Sequence, residues 1–81
     1  MPKIHLGQLL PGQTATILEL QAEKKLQHRL RALGFHKNRQ IEMIRRGWFS
    51  GPLHVRIGTT EVMLRRREAS EVYLIDVTTR N

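Results

Sequence analysis

Cysteine is absent from this chain of 81 residues, which removes disulfide cross-links, thiolate metal ligands and thiol nucleophiles together. A fold built from it must hold by packing and hydrogen bonds, as suits a reducing compartment. No apolar run approaches the ~18–20 residues that span a bilayer as a helix. The stretch from Met1 to Leu10 has neither a long apolar segment nor a small-residue cleavage site, so the expectation is a cytoplasmic protein without membrane insertion. Aromatic residues are scarce, four in all: Phe35, Trp48, Phe49 and Tyr73. Acidic residues are outnumbered, 7 against 14 Lys and Arg, for a formal charge of +7. That excess favours an acidic partner: nucleic acid, an anionic leaflet or an acidic protein surface.

Catalytic constellations are also missing. His5, His28, His36 and His54 show no close helical pairing, no glycine-rich phosphate loop is present, and Glu42, Glu61, Glu68, Glu71 and Asp76 form no evident acid–base pair. The expectation is a chain that is not an enzyme and needs no cofactor. His54 and Glu61 are placed to face each other across a hairpin, but no coordination set for a metal is evident.

What is present reads as one domain over residues 1–81. At this length folding buries only roughly 60–65 % of the surface of the unfolded chain, so the core is thin. Pro11-Gly12 is a turn, and Thr14 to Leu20 alternates as a strand with Ala15 and Ile17 on one face. Leu26, Leu30 and Leu33 then stand at i, i+4 and i+7, predicting a helix from Ala22 to Leu33 that Gly34 ends, with Phe35 folding back against it. Gln40 to Arg46 and Pro52 to Ile57 are strands around the loop Gly47-Trp48-Phe49-Ser50-Gly51. Gly58-Thr59 is a two-residue hairpin turn leading to a strand over Thr60 to Arg65. One helical turn over Glu68 to Glu71 and a strand over Val72 to Val77 complete the pattern, the inward face of that strand being ambiguous. The predicted fold is mainly β: a small SH3-like five-stranded barrel with one α-helix inserted after the first strand.

A turn glycine before a strand (Gly12, then Ala15 and Ile17), a helix ending in Leu33-Gly34, a loop ending in Gly51-Pro52, and a hairpin followed by Leu64-Arg65-Arg66 with Glu68-Ala69 occur in one order over about Leu6 to Val77. In that order and spacing the chain resembles the FeoA family, small SH3-like proteins of bacterial ferrous iron uptake. It departs from the family pattern at Lys37-Asn38, where Pro-Gly is usual, and at Ser50-Gly51-Pro52, where Gly-Asp-Pro is common. Asn tolerates the left-handed backbone that such a turn needs.

The resemblance implies an accessory or regulatory role through binding the cytosolic GTPase portion of an FeoB-type membrane iron transporter, which would bring the protein to the inner face of the membrane. It also implies an association with transition metals. The alternative expectation from charge alone is a basic barrel that binds nucleic acid, and self-association through a strand edge is a further one. The residues expected to meet a partner are Trp48 and Phe49, which share a glycine-flanked loop, with Arg45 and Arg46 before them and the run Arg65, Arg66 and Arg67. One of the two rings is expected to fold down and plug the barrel end, the other to stay exposed.

Overall fold

The computed structural model describes residues 3–79. Six strands form one antiparallel sheet: β1 (Ile4–His5), β2 (Gln13–Leu20), β3 (Gln40–Arg46), β4 (Leu53–Ile57), β5 (Thr60–Leu64) and β6 (Val72–Thr79), in the order β1-β6-β2-β3-β4-β5. A 3-10 turn over Leu6–Gln8 follows β1, helix α1 (Lys24–Ala32) follows β2, and the short helix α2 (Arg66–Ala69) follows β5. The fold class is as expected, with one strand more. The extra strand, β1, has two residues and pairs only with β6 through Ile4 and His5, too short to leave a pattern in the sequence.

Alternation decides the core. Ala15 and Ile17, Ile41 and Met43, Leu53, Val55 and Ile57, Leu64, and Val72 and Leu74 all point inward and are buried, which also resolves the inward face of β6. The outward residues carry the charge, and no polar or charged residue is buried among the described residues. Leu30 brings α1 onto this core with Leu26 and Leu33 beside it. The helix ends as glycine allows: Gly34 has φ +105°, its N–H donates to Arg31 O at 3.0 Å, and the Phe35 N–H donates to Leu30 O at 3.0 Å. This is a Schellman closure, in which the residue after the glycine packs back on the last turn, and Phe35 is fully buried. Asn38 takes φ 73°, so the turn that a Pro-Gly pair would make survives with Asn.

Three bulges bend the sheet. On β6, Asp76 and Val77 lie between the pairs Thr14–Thr78 and Thr16–Ile75, with Asp76 left-handed at φ 55°. On β2 and β3 the extra residues are Leu18 and Ile44. A bulge adds local twist and turns the following side chains to the other face. After Ile44, Arg45 pairs with His54 on the outer face and Arg46 falls opposite the buried Leu53. The helix expected over Glu68 to Glu71 begins two residues earlier because the Glu68 carboxylate accepts a hydrogen bond from the Arg65 N–H at 3.0 Å, the N-terminal closure of a capping box.

Replacing Leu30 by Ala should cost about 3 kcal/mol of stability through lost burial and the cavity left behind. Urea denaturation measures this. An unchanged midpoint would mean that α1 is not seated on the core.

Candidate functional site: a braced aromatic loop

The β3–β4 loop carries two rings with almost no protein around them. Trp48 is 87% exposed and Phe49 97%, with ring centroids 6.4 Å apart and planes tilted by 40°. Expecting one ring to be buried was therefore wrong. The core at this end is filled by Leu6, Leu9 and Leu53, and the base of the loop is taken by an arginine.

That arginine is Arg66, the first residue of α2. Its Nε donates to Gly51 O and its Nη2 to Gly47 O, both at 3.1 Å, so one planar guanidinium bridges the two ends of the loop. Inside the bridge, the Gly51 N–H donates to Trp48 O at 2.8 Å and the Gly47 N–H to Pro52 O at 2.9 Å. Phe49 and Ser50, the central residues of the inner turn, have φ 50° and 65°. Positive φ at both marks a type I′ turn, which Asn-Gly ordinarily fills. For side chains such as Phe and Ser the left-handed conformation costs on the order of 1–2 kcal/mol per residue. Both glycines are required by space: a Cβ on Gly47 would stand 2.8 Å from Pro52 O, and one on Gly51 2.9 Å from Trp48 O. The loop therefore carries conformational strain, and its rings repay none of it by burial.

The other expected partner residues divide into two groups. Arg46, half-buried, donates through Nη1 to Gly7 O and Leu9 O, both at 2.8 Å, and so ties the turn after β1 to β3. Arg46 and Arg66 are internal braces. Arg45, Arg65 and Arg67 are exposed, the first on the outer face of β3 and the others flanking Arg66. Glu68 forms its ion pair with Arg29 of α1. Burial pushes the Glu68 carboxyl up, but the Arg65 N–H and the Arg29 guanidinium outweigh it and hold the group below its ordinary 4.5.

On the opposite hairpin, His54 Nε2 lies 2.7 Å from Glu61 Oε1, as the sequence suggested, and Arg56 donates to Glu61 Oε2 at 3.0 Å. The Arg56 hydrogen bond first, then that from His54, lowers the Glu61 pKa. No group of three or more His, Asp or Glu side chains among the described residues converges to hold a metal. An open groove between α1 and α2 is lined by Lys25, Arg29, Arg65 and Arg67 together with Glu23, Glu68 and Glu71.

The FeoA domain model matches residues 4–75. The chain belongs to the FeoA family. A "Putative Fe(2+) transport protein A" from Campylobacter jejuni is 36% identical over 67 residues, which span 83% of this chain and 90% of that protein. Stenotrophomonas maltophilia FeoA, crystallised with zinc and described as a prokaryotic SH3 domain protein, superposes with a TM-score of 0.87 at 30% identity, covering 96% of this chain and 99% of the other. A manganese-dependent transcriptional repressor shares the fold, with a TM-score of 0.84 at 19% identity, and there this chain covers 37% of the other. The FeoA fold is thus the SH3-like barrel, and this chain is a ferrous iron transport accessory by family. No helix among the described residues is long and apolar enough to cross a membrane.

The depressed Glu68 carboxyl gives this FeoA protein an acid-sensitive link between its helices. A group held below its unfolded value stabilises the fold above that value and loses the contribution as pH falls through the lowered one. Glu68→Gln should therefore be less stable than the wild type near neutral pH, and the gap should shrink below about pH 4.5. Denaturation at a series of pH values measures it. A gap independent of pH would mean that the carboxylate charge contributes nothing.

Proposed function

We propose that this protein is a cytoplasmic accessory of ferrous iron uptake that docks on the cytosolic GTPase portion of an FeoB-type transporter and is carried by it to the inner face of the membrane. The observation that supports this reading is the pair of exposed rings on a strained, braced loop, set among the exposed cations of Arg45, Arg65 and Arg67. Aromatic and arginine side chains are the groups that most often dominate interface energetics. The Fe(2+) transport role in the name of the Campylobacter relative supports the choice of partner.

The charge of +7 also suits a nucleic acid. The barrel surface suits it less, because no aromatic lies on β2, β3, β4 or β5 to stack a base.

In a pull-down with the transporter's cytosolic portion at low salt, the wild-type protein should be retained. Trp48→Ala and Phe49→Ala should each weaken the complex at least tenfold, or about 1.4 kcal/mol. Absence of retention would defeat the proposal, and salt-sensitive submicromolar binding in a gel shift would favour the nucleic acid.

A further inference from the structure

The loop is far more constrained than display of two rings requires. Its backbone is fixed at four points: the Gly47–Pro52 and Trp48–Gly51 hydrogen bonds, and the two carbonyls held by Arg66. Two non-glycine residues are kept at positive φ, and both flanking glycines are sterically required. A fluid receptor such as a bilayer adapts to whatever enters it and gains little from a fixed tip. A preformed pocket does gain, because the ordering that binding would otherwise demand is already complete. The rim chemistry is also on the surface: among the described residues no ion pair engages the guanidinium groups of Arg45 or Arg67.

We infer that the Trp48–Phe49 tip is a preorganised plug for an apolar pocket with a carboxylate rim on the partner protein, and that half-buried Arg66 is the positioning residue that holds the plug in shape. The inference rests on the docking reading above and gives it a geometry. Arg66 acts through the loop, because both of its hydrogen bonds end on Gly51 O and Gly47 O and not on any atom of the rings. Its removal should therefore matter only while the Trp48 and Phe49 rings are there to be positioned.

The test uses the full chain with Arg66→Lys, which keeps the charge but cannot reproduce the planar two-carbonyl fork. Gly51→Ala disturbs the same loop while leaving the Arg66 side chain itself unaltered. Denaturation midpoints first establish that each variant folds. Amide nitrogen relaxation of the free protein then reads the brace directly. Order parameters over Trp48 to Ser50 should be near 0.85 in the wild type and fall toward about 0.6 in both variants.

Calorimetry against the transporter's cytosolic portion should show five- to twentyfold weaker binding for either variant. The triple variant Trp48→Ala/Phe49→Ala/Arg66→Lys should bind no more weakly than Trp48→Ala/Phe49→Ala. Unchanged order parameters overturn the brace. Losses that multiply in the triple variant overturn the positioning role. A blue shift of Trp48 emission on phosphatidylglycerol vesicles without any partner makes lipid the occupant and overturns the pocket. If the wild type does not bind the cytosolic portion, docking and plug fall together, while the relaxation result still decides what Arg66 does to the loop.

Discussion

The Arg66 guanidinium, set between the carbonyls of Gly47 and Gly51, is the interaction on which this end of the molecule depends. A chain this short runs out of apolar side chains before it runs out of loops. On β4 and β5 the core ends at Leu53 and Leu64, and the two rings of the loop beyond them bury almost nothing. Arginine solves this because its rigid fork satisfies two carbonyls at once, and hydrogen bonds to charged groups contribute more than neutral ones, about 1.5–3 kcal/mol each. Arg46 does the same for the turn after β1 by binding Gly7 O and Leu9 O. Two cations that look in the sequence like binding surface are thereby spent on architecture.

Which arginine braces and which is displayed is decided by register. Without the extra Ile44 in β3, strict alternation from Ile41 and Met43 would send Arg45 inward and Arg46 out. The bulge reverses this: Arg45 meets His54 on the outer face, and Arg46 comes opposite Leu53 at the barrel end. In α2 the deciding group is Glu68, whose carboxylate caps the Arg65 N–H and starts the helix at Arg66. The start of the helix sets the direction of the Arg66 side chain, and the ion pair from Glu68 to Arg29 fixes α2 against α1. The aromatic loop is thus linked to α1 through Arg66, Glu68 and Arg29.

Strand alternation, the Leu26-Leu30-Leu33 stripe, Gly34 as terminator and the Gly58 hairpin were all legible from local pattern, because each expresses a rule that acts within a few residues. The resemblance added the family. The bulges at Leu18, Ile44 and Asp76 were not legible: each is set by pairing with a strand distant in sequence, and nothing in the letters marks them. For the same reason the roles of Arg46 and Arg66 could not be separated from those of Arg45, Arg65 and Arg67, although a Glu three residues after Arg65 was an unused capping signal. One ring is not folded down onto the barrel end, against expectation, because of the backbone of the loop, a turn in which two left-handed residues turn both rings outward.

Charge and rings act at different ranges, and that separation explains how so small a surface can select a partner. The excess of seven positive charges acts over a Debye length of about 8 Å at physiological salt, which raises encounter rates with an acidic surface without distinguishing one acidic surface from another. Residence depends on what is buried after contact, and affinity differences among related complexes lie mostly in dissociation. Of the large apolar side chains among the described residues, only Trp48 and Phe49 are nearly fully exposed. On the docking reading proposed above, selectivity resides in the fit of that tip. A fit can discriminate only if the tip has one shape, and in this chain the shape is set by two glycines, a strained turn and one arginine.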